Sequence, residues 1–287
     1  MIVLSEKTSM RVGGPAREFY EPADEAGFVE SVKRARNDGT PYFVLGNGTN
    51  VIVRDGGYPG AVISTLNALR GIEIKDGYRL VCGAGESLAG ICRAAADNSL
   101  SGLEEVSGIP GTVGGAVYMN AGAYGVEIAT AIANVQAYDM GAEKHIMLTA
   151  DECDFGYRAS LFKEKRMLIL SVELILSFGD RVEIEGKMAE FTRLRNEKQP
   201  VEMPSAGSFF KRPAGDYAGR LIEAAGMKGA SVGGAQVSLK HAGFIVNTGG
   251  ATAADVLALA EEVKAQVFEK TGIMLEEEPV IIGAGGE

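Results

Sequence analysis

The chain has 287 residues, of which 46% are hydrophobic and 23% charged, enough for one large core or two to three smaller ones and incompatible with bulk disorder. Twenty-eight Lys+Arg against 38 Asp+Glu leave a net charge of −10 and a pI near 4.9, which speaks against a nucleic-acid binder while leaving room for a local basic cluster facing a small anion. Glycine counts 39, about twice its usual ~7% share, and histidine only 2, so backbone brought close to a ligand is expected and His-centred zinc chemistry is not.

The three cysteines, Cys82, Cys92 and Cys153, show no C-x-x-C spacing, so neither a disulfide framework nor a thiolate metal site is indicated, and no metal is expected. Residues Met1 to Gly14 lack a signal-type apolar region, and no apolar run approaches the ~18 residues that span a bilayer. A cytoplasmic protein with no membrane insertion is the expectation.

A helix is predicted over Asp24–Asn37, with Phe28, Val29, Val32 and Ala35 on one face and Gly39 just beyond it. The apolar run Pro41–Leu45, the turn Gly46-Asn47-Gly48-Thr49-Asn50 and the strand Val51–Val53 follow, then a strand at Gly60–Ser64. Asp76-Gly77 between Ile72–Lys75 and Tyr78–Val81 is a type I′ hairpin signal. Ser87–Asn98 has helical spacing. A long glycine-rich stretch runs from Ser107 to Gly125. Strands are predicted near Asn134–Met140 and His145–Leu148, a capping box at Thr149–Glu152, and a buried strand pair over Met167–Phe178. The polar segment Gly179–Gly186 is read as the start of a new domain. Helices at Lys187–Lys198 and Asp216–Ala225 flank a loop around Pro204–Pro213. Strand Phe244–Val246 then leads to a helix over Ala253–Thr271, opened by the Thr252/Asp255 capping box and stopped by Gly272.

Neither Gly46-Asn47-Gly48 nor Gly83-Ala84-Gly85 completes a dinucleotide fingerprint, because Val51 and Leu88 stand where the third glycine belongs. The alternatives for the first loop are a plain surface turn or a nest of backbone N–H groups for a pyrophosphate. The second stretch, Gly108-Ile109-Pro110-Gly111-Thr112-Val113-Gly114-Gly115-Ala116 and then Met119 to Gly125, favours backbone packed against something flat or anionic.

These two segments resemble the flavin-binding half of the vanillyl-alcohol-oxidase-type FAD-binding fold. With Thr8–Ala16, Phe155–Ser160, Pro204–Pro213 and Gly234–Asn247 in the same order, the whole chain resembles the UDP-N-acetylenolpyruvoylglucosamine reductase family. The resemblance implies an α+β protein: a two-subdomain FAD-binding module (residues 1–64 and 65–180) followed by an α+β substrate-binding domain (181–287). It implies FAD as cofactor, NADPH as reductant, a small-molecule UDP-sugar enolpyruvyl ether as substrate, and a monomer. Cofactor contacts would come from Leu45, Gly46, Asn47, Gly48, Thr49, Asn50, Ser107, Ile109, Pro110, Gly111, Thr112, Gly114, Gly115 and Ala116.

The resemblance assigns catalysis to Arg158, Ser208 and Glu278, and substrate binding to Asn120, Tyr124, Tyr157, Arg195, Lys198, Lys211, Gln236 and Asn247. Arg158 suits a carboxylate, being permanently charged with a planar fork of donors. Read without the motif, Arg158 would be a surface ion-pair former, Ser208 a turn serine, Arg195 and Lys198 a solvated helix face, and His241 a structural imidazole. The acidic run Glu276-Glu277-Glu278 has its proline one place later than the family pattern, which leaves Glu276 and Glu277 as alternatives to Glu278. Lys7 and Thr49 stand where the family often has Asn and Ser. The short Arg158–Ser208 spacing matches the family's shorter, type II subgroup.

Overall fold

The computed structural model describes residues 2–284. The chain clusters into two compact units, each discontinuous in sequence: one made of residues 20–47 and 62–194, the other of 1–19, 48–61 and 195–287. No helix among the described residues is long and apolar enough to cross a membrane.

The first unit opens with helix α1 (Glu25–Asn37), whose N-cap Asp24 accepts the Gly27 amide at 2.8 Å. Its centre is a five-stranded antiparallel sheet in the order 144–149, 132–139, 167–175, 79–83, 72–75. Asp76 and Gly77 both have positive φ, +52° and +80°, as a type I′ turn requires. Helix α2 (Leu88–Asp97), capped by Ser87, buries Leu88, Ile91, Cys92 and Ala95 in the same core as Leu80, Val135, Val172 and Leu174. All three cysteines are buried free thiols, and burial pushes Cys82 and Cys92 up to about 12 and Cys153 to about 11. Thr149 and Glu152 exchange the expected capping hydrogen bonds, over a single 3₁₀ turn.

Several elements differ from the sequence reading. The glycine-rich stretch contains helix α3 (Val113–Met119), capped by the Thr112 hydroxyl. A helix tolerates Gly114 here because a Cβ at that position would meet the Ala84 Cβ at 2.9 Å, so close packing selects glycine. Met167–Phe178 is not a strand pair but one nine-residue strand, Met167–Ile175, and a two-residue strand, Ser177–Phe178, paired with Leu100–Ser101. Burial alternates along the long strand, so it is an antiparallel strand with one covered face. Helix α4 (Arg181–Lys198) begins six residues earlier than expected, with the Asp180 carboxylate accepting the Glu183 amide. The polar run that looked like a boundary is its solvated first turns.

In the second unit, helix α5 (Ala218–Ala224) is shorter than predicted and is followed by Gly226 at φ +77°. Helix α6 (Ala253–Thr271) matches its predicted limits, with the full Thr252/Asp255 capping box and Gly272 in the left-handed region at φ +71°. The Asp55 carboxylate adds hydrogen bonds from the Ala253 and Ala254 amides, 2.8 Å each, placing a negative charge at the helix N-terminus. A four-stranded sheet runs in the order 205–208, 244–247, 235–237, 231–232, and Val280–Ile282 pairs in parallel with Val51–Val53. The expected loop around Pro204–Pro213 therefore contains a sheet strand. Met10, Ile52, Phe209, Val256, Leu259 and Val263, all essentially inaccessible, form the core of this unit.

Candidate active site

In the first unit, the segment 107–116 is stitched along residues 84–88. Leu88 N–H donates to Gly111 O, Val113 N–H to Glu86 O and Gly114 N–H to Ala84 O, at 2.8–3.0 Å. Ser107 is buried, and its hydroxyl donates to Glu104 O at 2.7 Å. Burial pushes the Glu104 carboxyl up, but the Ser101 hydroxyl (2.6 Å) and Gly102 amide (2.7 Å) outweigh it and hold the group below its ordinary value. Ile109 and Gly111 are half-buried, Pro110 exposed, Thr112 and Ala116 buried. Leu45 is buried at the end of its strand; Gly46 follows, so close to Thr112 that a Cβ would lie 2.5 Å from its hydroxyl oxygen. The Asn47 amide donates to Pro110 O at 2.7 Å. The two glycine segments of this unit are thus joined, and Asn47, Pro110 and Gly115 remain open to solvent.

The same unit carries Arg158 at the tip of a tight turn closed by reciprocal Gly156 and Ala159 backbone bonds of 3.1 and 3.0 Å. Arg158 has φ +54°, a conformation that disfavours a bulky side chain, and such outliers concentrate at functional sites. Buried Asn120 holds the turn by donating to Gly156 O at 3.0 Å and to Glu127 at 2.7 Å. The Lys163 ammonium donates to Arg158 O at 2.7 Å, and the Arg158 guanidinium lies over the Tyr157 ring, 5.1 Å from its centroid, and donates at 3.5 and 3.4 Å to the carbonyls of Asn120 and Gly122. Tyr124 is exposed, stacks on Phe191 of α4 at 4.7 Å and donates to its carbonyl. Asn120 is therefore a support for the arginine turn.

In the second unit, Gly48 packs directly on the chain at residues 7–8. With φ +63°, a Cβ there would lie 2.2 Å from Lys7 O and 3.0 Å from the Thr8 Cα. Among the described residues, the buried Thr8 hydroxyl has no hydrogen-bond partner. Thr49 and Asn50 are half-buried. Ser208 is exposed and ends a strand with a bulge: Ser205 faces Val246 and Ser208 faces Phe244, so one extra residue sits opposite the partner, and Gly207 takes φ +80°. A bulge of this kind re-aims the side chain that follows it.

Glu276 pairs with Lys211 at 3.0 Å and Glu277 with Lys264 at 3.1 Å, and the Glu278 amide donates to Phe209 O at 2.9 Å, the residue after Ser208. Asn50 Nδ2 donates to Glu278 O at 3.3 Å. Lys211 is thus ion-paired, Lys198 is exposed at the end of α4, and Arg195 is half-buried one turn before it. Gln236 donates to Gly229 O at 3.3 Å. Asn247 is buried; its amide donates to Met10 O at 3.2 Å and its oxygen accepts from the Gly249 and Ala251 amides, so it serves as a scaffold. The half-buried His241 accepts the Gly243 amide at 3.1 Å through Nδ1, and burial pushes its pKa down, as a structural imidazole requires. Sequence reasoning gave no role to Thr8, Ser9 or Gly207; the adjacent hydroxyls of Thr8-Ser9 were the available signal.

Each unit by itself carries features that suit a dinucleotide. In the first, Gly46 admits no side chain against Thr112, and backbone and small residues make up the segment 107–116. In the second, Gly48 admits no side chain against residues 7–8, and the Thr8 hydroxyl has no partner among the described residues. A family model described as an FAD binding domain matches residues 16–142, and one described as the UDP-N-acetylenolpyruvoylglucosamine reductase C-terminal domain matches 199–282. The curated UDP-N-acetylenolpyruvoylglucosamine reductase of Caldanaerobacter subterraneus is 44% identical over 280 residues, covering 98% of this chain and 92% of the relative. The chain belongs to the UDP-N-acetylenolpyruvoylglucosamine reductase family. As a member of that family it is an FAD-dependent oxidoreductase with an α+β architecture. The reductase of Clostridium botulinum strain Hall is likewise 44% identical over 98% of this chain. The crystal structure of the Thermus caldophilus reductase superposes with a TM-score of 0.80 at 39% identity, covering 98% of both chains.

Proposed function

We propose that this chain reduces the enolpyruvyl ether of a UDP-N-acetylglucosamine to the lactyl ether of UDP-N-acetylmuramate, with NADPH as reductant, in the cytoplasmic assembly of peptidoglycan precursors. The carrying observation is that likeness to the reductases extends over both the FAD-binding and C-terminal segments, 98% of the chain. FAD, held by the segments 45–50 and 107–116, would supply the hydride-transfer chemistry that links NADPH to the enolpyruvyl group.

The protein's part is to manage the charge and proton that follow. Negative charge grows at C2 and spreads into the carboxylate, where fixed donors have most effect. Arg158 takes this role; its turn, held by Asn120 and Lys163, supports a guanidinium set in advance. Ser208 delivers the proton to C2. A neutral hydroxyl is a weak acid, so it needs help from neighbouring groups. Glu278 is assigned that help, and the backbone bond from its amide to Phe209 O, next to Ser208, supports the choice. Arg195 and Lys198, one turn apart at the end of α4, are suited to the diphosphate. Residues 1–64 and 65–180 are assigned to FAD, 181–287 to substrate, and the chain is taken to act as a monomer.

The test is anaerobic. Holoenzyme reduced by NADPH should be reoxidised by the UDP-enolpyruvyl sugar with one lactyl ether formed per NADPH. Flavin that stays reduced, or is reoxidised only by other acceptors, would overturn the reading.

A further inference from the structure

Ser9 lies between two buried residues, Thr8 and Met10, and its main chain is pinned from both sides. Its amide donates to Gly48 O at 3.1 Å, and Asn247 holds the carbonyl of Met10 at 3.2 Å. Its hydroxyl donates to Ser205 O at 2.6 Å, with a second, longer approach of 3.4 Å to Gly48 O. Ser205 is the residue at which the bulged strand leaves regular pairing on its way to Ser208. On the other side, Asn50 accepts the Val280 amide at 2.9 Å and donates to Glu278 O, while the Glu278 amide binds Phe209 O. These bonds close a ring: Gly48, Ser9, Ser205, the Ser208–Phe209 step, Glu278, Asn50 and back to Gly48.

We propose that Ser9 is a positioning residue for proton delivery, joining the Gly48–Asn50 loop to the strand that carries Ser208. Ordering of the loop and aim of the hydroxyl are then one event. The proposal rests on the assignment of Ser208 as proton donor. A bulge with a left-handed glycine has no ladder of its own to fix its pitch, and the Ser9 hydroxyl supplies the missing constraint at its first carbonyl. Alanine at position 9 would keep the amide bond to Gly48 and the strand's backbone bonds to Gly243 and Glu278, so it would loosen only the bulge at its first carbonyl without releasing the loop.

The test uses FAD-loaded wild type, Ser9→Ala and Ser9→Thr, with each half-reaction followed by rapid mixing in H₂O and D₂O. For Ser9→Ala, reoxidation by the UDP-enolpyruvyl sugar should slow about ten- to a hundredfold, as for a catalytic group misplaced by about an ångström, while reduction by NADPH and the FAD Kd change less than about threefold. Its solvent deuterium effect on reoxidation should rise, because proton delivery becomes limiting, and Ser9→Thr should restore the rate. Unchanged reoxidation in Ser9→Ala would overturn the proposal. So would a parallel fall of both half-reactions and FAD affinity, which would mark Ser9 as a support of the fold or of the cofactor loop. Wild type that the substrate cannot reoxidise would instead overturn the functional reading beneath it.

Discussion

Gly207 and Gly186 provide a matched pair for the claim that the Ser208 strand depends on a left-handed residue. A Cβ at either position would meet nothing within 4 Å, so an added methyl group clashes with nothing at either site. They differ in backbone: Gly207 has φ +80°, whereas Gly186 lies inside α4. Alanine in the left-handed region costs about 1–2 kcal/mol, partly offset by the ~0.4–1 kcal/mol that a less flexible unfolded chain returns. Gly207→Ala should therefore destabilise by about 1 kcal/mol, and Gly186→Ala should stabilise by about 0.8–1 kcal/mol through helix propensity. For a chain of this size each change moves Tm by about 2–4 °C, in opposite directions, in scanning calorimetry of the holoprotein. Gly207→Ala should also slow substrate-dependent flavin reoxidation, since relief of the strain flattens the bulge. Two alanines that shift Tm in the same direction would refute the backbone argument. A Gly207→Ala enzyme with normal reoxidation would refute the link between bulge and proton donor.

Gly48→Ala should yield protein with little bound flavin, read from the flavin-to-protein absorbance ratio after purification. The loop cannot keep its place when a Cβ falls 2.2 Å from Lys7 O, and retained FAD would dissociate this packing from cofactor binding. His241 should make stability depend on mildly acidic pH. Burial lowers its folded-state pKa below the ordinary 6.5, so the unfolded chain takes up the proton first and stability falls as pH drops below that value. His241→Gln should flatten this part of the denaturation profile, and an unaltered slope would assign it to other groups.

The legibility of the fold follows the range of the forces involved. Helix α6 was readable to the residue because its start and stop are local: a capping box at Thr252/Asp255 and a glycine at 272. The Asp76-Gly77 turn was readable for the same reason. The bulge at Gly207 was not, because it exists only through pairing with a strand some forty residues later. Nor was α3, whose paired glycines argue against a helix until Ala84 is seen packed against Gly114. The early start of α4 was hidden by polar first turns, which resemble a linker when only the apolar period is read. For the candidate site, the motifs singled out residues, but the sequence could not show which of their side chains are already bonded within the protein. Asn120 and Asn247 both turn out buried with their amides bonded within the protein. Ser9, without an assigned role, bridges two segments nearly two hundred residues apart.

If Ser208 delivers the proton, the flavin should still be reduced by NADPH when its hydroxyl is removed. Exposed Ser208 can be replaced by alanine with little strain, so the comparison is clean. The decisive measurement is the anaerobic flavin spectrum of Ser208→Ala, first with NADPH and then with the UDP-enolpyruvyl sugar. Normal bleaching by NADPH should be followed by no recovery of oxidised flavin on adding substrate. Full recovery at the wild-type rate would rule out Ser208 as the proton donor.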